Sequence, residues 1–126
     1  MPSIAVIGAS NDRFKYGNRA VRTYLAQGWT VYPVNPNEDQ IEGLACYRGI
    51  SEIPVAVDRA SLYVPPDVGI QLLDAIRARG AKELWVNPGA CNPALLARAG
   101  QLGLVAVEAC SILAANDDPE SCAVDP

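Results

Sequence analysis

Apolar residues gather in five short runs along the chain: "IAVIG" (4–8), "TVYPVN" (30–35), "ASLYV" (60–64), "ELWVN" (83–87) and "LVAVEA" (104–109). The runs are rich in β-branched and aromatic residues and nearly continuous in hydrophobicity, as strands buried on both faces are. Between them the apolar positions recur at helical spacing. Val21, Tyr24 and Leu25 share a face over 18–27, with Gly28 as the stop. Val68, Leu72 and Ile76 do the same over 67–79, ended by Gly80. "NPALLARAGQLG" opens with Asn92 as N-cap and Pro93 at the first helical position, and closes at Gly103. Strands alternating with helices predict right-handed β-α-β crossovers, hence an α/β fold with a mostly parallel sheet and helices on both sides. The stretch 36–59 reads as irregular, with one helical turn near "SEIP" (51–54). The acidic, proline-containing residues 114–126 read as a loosely attached tail.

Composition narrows the chemistry. The 126 residues are enough for one domain, half are hydrophobic, and 19% are charged, which argues against disorder. Net charge is −4 and no basic tract occurs, so nucleic acid is not an expected partner. "SIAVIGAS" is too short for an export segment or a membrane span, and no run approaches 18 apolar residues. With no leader visible, Cys46, Cys91, Cys110 and Cys122 read as reduced thiols in the cytoplasm. There is no histidine. That excludes Ser-His-Asp and Cys-His arrangements and the usual neutral-pH base within this chain.

In an open parallel sheet, ligands sit beyond the carboxyl ends of the strands. Gly8 permits a sharp turn off the first strand, and the following helix start offers amide donors and a positive dipole end. The loop is neither a dinucleotide fingerprint nor a P-loop. Ser10 stands where the second glycine belongs, the third is delayed to Gly17, and Phe14 precedes Lys15. Ser10, Arg13 and Lys15 can instead neutralise a diphosphate through charge-assisted bonds, or the two cations simply form a solvated loop face. The second strand ends in Asn35-Pro36, without the carboxylate that grips an NAD ribose. The pocket therefore suits an adenosine with an extra ribose phosphate, or none. Pro65 and Pro66 after the third strand give a rigid wall, and the same turn positions Asp67 to cap the next helix.

"VIGAS" with a downstream "KYG", "VYPVNPN" followed by "IEGLACYRGISEIP", then "YVPPDV", "ELWVNPGA" and "VEACSI" together resemble the CoA-binding domain family. The likeness is to its stand-alone bacterial form and, more distantly, to the amino-terminal domain of the succinyl-CoA synthetase α subunit. It covers residues 3–113, and implies a three-layer, Rossmann-like α/β/α domain over 1–113 with a five-stranded parallel sheet of order 3-2-1-4-5. Coenzyme A, free or acylated, would lie across the strand ends. The diphosphate would meet Gly8, Ala9, Ser10, Arg13, Lys15, Tyr16 and Gly17. Asn35 and Pro36 would flank the adenosine and its 3′-phosphate. Val64, Pro65 and Pro66 would wall the adenine, and the pantetheine arm would pass Asn87, Pro88 and Gly89.

Departures from the synthetase pattern limit what the resemblance implies. The synthetase works through a phosphohistidine on another domain, and the "VNPGA" turn lacks its nearby glutamate. The expectation is a non-catalytic cytoplasmic CoA-binding protein with no membrane role and an unidentified protein partner as an option. Cys110 reads as a buried small hydrophobe. Cys91 reads either as a plain helix-approach residue, the preferred reading, or as a mixed-disulfide partner of CoA. The alternatives are an NAD(H)-binding oxidoreductase or redox sensor, an interaction module without ligand, and, with least support, an acyl-CoA enzyme using Glu108 or Cys110.

Overall fold

A computed structural model describes residues 2–111; the expected tail at 114–126 and its boundary lie outside them. In chain order the elements are β1 (Ser3–Ile7), α1 (Tyr16–Ala26), β2 (Thr30–Val34), β3 (Gln40–Ile41), β4 (Leu44–Ala45) and a 3-10 turn (Ile50–Glu52). Then follow β5 (Arg59–Leu62), α2 (Pro66–Ala78), β6 (Glu83–Val86), α3 (Pro93–Gln101) and β7 (Val105–Val107). Five of the strands form one parallel sheet in the order β2-β1-β5-β6-β7.

Outside β2 the sheet gains one further rung. Tyr47 bridges Val34 in parallel, its amide donates to Pro33 O at 2.9 Å, and its carbonyl accepts from Asn35 N at 2.9 Å. With that rung in third place the order 3-2-1-4-5 runs Tyr47, β2, β1, β5, β6, and β7 extends it. The run at 60–64 thus supplies the fourth place, between β1 and β6, rather than the edge.

The chain reverses its winding direction at β1, which puts α1 on one face and α2 and α3 on the other. Ile4, Val6 and Val31 pack with Ala20, Val21 and Tyr24 on the α1 side. Ala5, Ile7, Leu62, Leu84 and Val86 pack with Leu73, Ile76, Leu95 and Ala99 on the other. Asn92 caps α3 as its sequence requires, accepting from Leu95 N at 2.8 Å. Asp67 does not cap α2: Pro65 holds the N-cap position, and Asp67 places its charge in the first turn. The buried stripe of α2 is Gly69, Leu73 and Ile76, one position round from the expected one, which leaves Val68 43% exposed. Leu25, expected on the inner face of α1, is likewise exposed.

Two features of the fold fix the ends of the strands. Gly8 has φ +93°, and a Cβ there would lie 2.6 Å from Tyr63 O. A Cβ on Gly17 would lie 2.2 Å from Gly8 O, so α1 reaches the strand end backbone to backbone. The second feature is a buried polar cluster. Asn87 Nδ2 donates to Ser61 Oγ and Leu62 O, each at 2.8 Å, while Asn87 Oδ1 accepts from Ser111 N at 2.8 Å. Ser111 Oγ lies 2.8 Å from both Ser61 Oγ and Tyr63 OH, and Ser111 O accepts from Tyr24 OH at 2.7 Å. Tyr24 OH in turn accepts from Arg59, whose guanidinium lies between Trp29 and Trp85 at 4.7 and 4.6 Å.

Gly17→Ala is expected to destabilise the domain by about 2–4 kcal/mol in urea unfolding, because the contact is with backbone that cannot yield. Asn87→Asp removes the donor that serves Ser61 and Leu62 and places a carboxylate in a buried position. Its expected cost is about 3 kcal/mol at neutral pH, easing as pH falls and the acid protonates. A midpoint unchanged in either variant would contradict these assignments.

Candidate functional site

The carboxyl ends of β1, β2, β5 and β6 open onto a cleft of about 400 Å³. Its lining brings together Gly8, Ala9, Ser10, Lys15, Tyr16, Gly17, Asn35, Val64, Pro65, Pro88 and Gly89, all singled out in the sequence. It also includes Tyr63 and Ala90, which were not. Tyr63 directly precedes the Val-Pro-Pro turn, so the strand's own alternation could have located it. Burial pushes its phenol up to about 12, against the opposing effect of its bonds to Ser111 and Ser61.

Gly8 N and Ala9 N do not face the cleft as free donors. Both donate to Val34 O, at 3.0 and 3.3 Å, and so extend the β1–β2 ladder. The polar groups the loop offers are side chains. Ser10 Oγ accepts from Asp12 N at 3.0 Å, which leaves its own proton to donate. Lys15 sits at the N-cap of α1, a helix with neither a capping side chain nor an acid in its first turn. A positive helix end beside an exposed ammonium and a hydroxyl suits an anion.

The arch of the loop is held from outside. The β3–β4 hairpin, missed in the irregular stretch, turns through Glu42 (φ 50°) and Gly43 (φ 79°). Asn11 Nδ2 donates to Glu38 Oε1 at 2.8 Å and to Gln40 O at 2.9 Å. Asn18 Nδ2 bridges Ser10 O and Glu42 Oε2, at 2.9 and 3.0 Å. From the inner side Asn35 Nδ2 donates to Ala9 O at 2.8 Å, while Asn35 Oδ1 accepts from Asn37 N at 2.8 Å.

Four of the singled-out residues lie apart from the cleft. Arg13 pairs with Glu42 at 3.4 Å and accompanies Phe14, Arg19 and Arg22 on the outer surface of the loop. Asn87 is buried, its side chain engaged inside, so that turn presents Pro88 and Gly89 to the cleft. Pro66 begins α2. Pro36 lines a second, adjoining hollow of about 460 Å³, which shares Gly8, Asn35 and Val64 with the cleft.

The thiols of Cys46 and Cys91 are both raised, chiefly by burial. Burial and then the hydrogen bond to Glu108, at 3.4 Å, both raise the Cys91 thiol, so its thiolate is disfavoured. Cys46 is also free, and Cys110 is buried against the α1 side of the sheet. Among the described residues no cluster of three His, Cys, Asp or Glu side chains could hold a metal, and no helix is long and apolar enough to cross a membrane.

Comparisons with known proteins agree with this geometry. The family described as CoA binding domain matches residues 2–116. The ADP-forming acetate–CoA ligase II subunit alpha of Pyrococcus furiosus is 41% identical over 80 residues, covering 63% of this chain but 18% of the ligase subunit. A conserved hypothetical protein from Pyrococcus furiosus superposes with a TM-score of 0.82 at 38% identity, over 90% of this chain and 99% of that one. The dinucleotide-forming acetyl-coenzyme A synthetase 1 of Ca. Korarchaeum cryptofilum, solved with phosphate and ADP, gives a TM-score of 0.76 at 33% identity. That match covers 85% of this chain and 25% of the synthetase. A parallel sheet with a ligand-sized cleft at its switch point, a phosphate-compatible first turn and a family match over nearly its whole length make this chain a member of the CoA binding domain family, with coenzyme A as the cofactor.

Proposed function

We propose that this chain is a cytoplasmic holder of coenzyme A or acyl-CoA that performs no catalysis of its own. The observation that carries the reading is that Ser10 and Lys15 both line the same cleft of about 400 Å³ at the β1 turn. The pyrophosphate binds there. The adenosine runs toward Asn35-Pro36 and the Val64-Pro65 wall, and the pantetheine arm leaves over Pro88 and Gly89.

The lining supports binding rather than turnover. It contains no carboxylate, thiol or imidazole, and the phenol of Tyr63 is held protonated far above neutrality. The ligase activity of the curated relative belongs to a protein of which this chain matches less than a fifth. A domain of this size can bind the CoA half of such a reaction and leave the chemistry to other domains or to a partner.

Titration calorimetry should detect CoA binding to the purified chain. Ser10→Ala combined with Lys15→Ala should weaken it by about 30-fold or more, since a charge-assisted and a neutral hydrogen bond are both lost. Undiminished affinity in the double variant would remove the pyrophosphate from this turn. In thermal denaturation, CoA at about a hundred times its Kd should raise Tm by about 10 °C. NADH at the same concentration should leave Tm unchanged. Protection by NADH without protection by CoA would favour the oxidoreductase or redox-sensor reading.

A further inference from the structure

We infer that Arg48 reads the 3′-phosphate of coenzyme A, with the adenine seated in the apolar hollow beside it; this rests on the CoA-binding reading above. The hollow is continuous with the cleft through Gly8, Asn35 and Val64, so one ligand can occupy both. Ile7, Val34, Pro36, Ile50, Val64 and Leu72 give it an apolar interior suited to the flat faces of a purine. Val68, left 43% exposed by the rotation of α2, completes that wall.

Among the described residues that line the hollow, Arg48 is the one that carries charge. Its backbone is fixed. The preceding residue, Tyr47, is bonded through its carbonyl to Asn35 N at 2.9 Å, so Arg48 follows directly from the rung beside the Asn35-Pro36 turn. The side chain is far less constrained. It meets Asp39 Oδ1 at 3.4 Å, with the two side chains 65% and 89% exposed. Such a solvated pair is weak. A ribose phosphate carries more charge than Asp39 and accepts from a guanidinium in bidentate fashion, so it can take the arginine over. The other cations near the site are committed elsewhere: Lys15 lines the cleft, and Arg13 pairs with Glu42 on the outer side of the loop.

The test is titration calorimetry with CoA and with dephospho-CoA on three proteins: the wild-type chain, Arg48→Gln and Asp39→Asn. Wild type should prefer CoA by about tenfold at low salt. Arg48→Gln should lose most of that preference while keeping its affinity for dephospho-CoA. Asp39→Asn, which removes the competing carboxylate, should tighten CoA by about two- to threefold and leave dephospho-CoA unchanged. Equal weakening of both ligands in Arg48→Gln, or no preference in wild type, would overturn the assignment while CoA binding stands. Binding of neither ligand to wild type would overturn the CoA reading itself.

Discussion

The approach of α1 to the end of β1 is the contact on which the site depends. With a hydrogen in place of a side chain at Gly17, the helix start comes up against the Gly8 carbonyl, and a Cβ there would sit 2.2 Å from that oxygen. Gly8 itself turns through φ +93° against Tyr63 O. Three backbone segments therefore meet at one point, and the residues between Gly8 and Gly17 have no room to pass through it. They arch outward over the strand ends, which is how Ser10 and Lys15 come to face one cleft. A dinucleotide fingerprint obtains close approach to a pyrophosphate from glycines inside a short turn. Here the glycines serve helix packing, and the anion-facing groups are side chains carried by the arch.

Such an arch is useful only if it holds still, and that order comes from residues distant in sequence. The β3–β4 hairpin grips it through Asn11 and Asn18, and Asn35 grips it from β2. This explains what could and could not be read from the sequence. The five sheet strands and three helices announced themselves by continuous apolar runs, helical spacing and the Asn92-Pro93 start, because burial and capping are local in pattern. The hairpin did not, since each of its strands has two residues and no periodicity can show in so short a run. For the same reason Tyr47 and Arg48, though inside "IEGLACYRGISEIP", did not read as site residues. Their placement follows from a single bridge to Val34 that no local pattern encodes.

Burial alone misjudged the direction of some side chains. Asn87 stands in a turn that reads as ligand-facing, yet its amide satisfies Ser61, Leu62 and Ser111 inside the sheet layer. An unpaired polar group there would cost more than a contact with ligand returns, so the interior holds it. The stripe on α2 erred the other way. Leu73 and Ile76 fill the core, and Gly69 lets the helix lie close to Leu95 and Leu62, which rotates Val68 outward. An apolar residue left at the surface by core packing is then available to a ligand, and Val68 borders the hollow.

Asn35 joins these threads. From the sequence, its lack of charge argues against a ribose-gripping carboxylate and in favour of a phosphorylated sugar. In the structure the same side chain donates to Ala9 O and accepts from Asn37 N, tying the first turn to the second. An aspartate could accept from Asn37 but could not donate to Ala9, so it would loosen the arch and set a negative charge between the cleft and the hollow. A hydrophobic residue would spare the charge and lose both bonds. Fold and ligand thus demand the same chemistry at one position: a neutral side chain with a donor and an acceptor. The absence of a carboxylate there cannot be credited to the ligand alone, since the loop that presents Ser10 would require it even with the cleft empty.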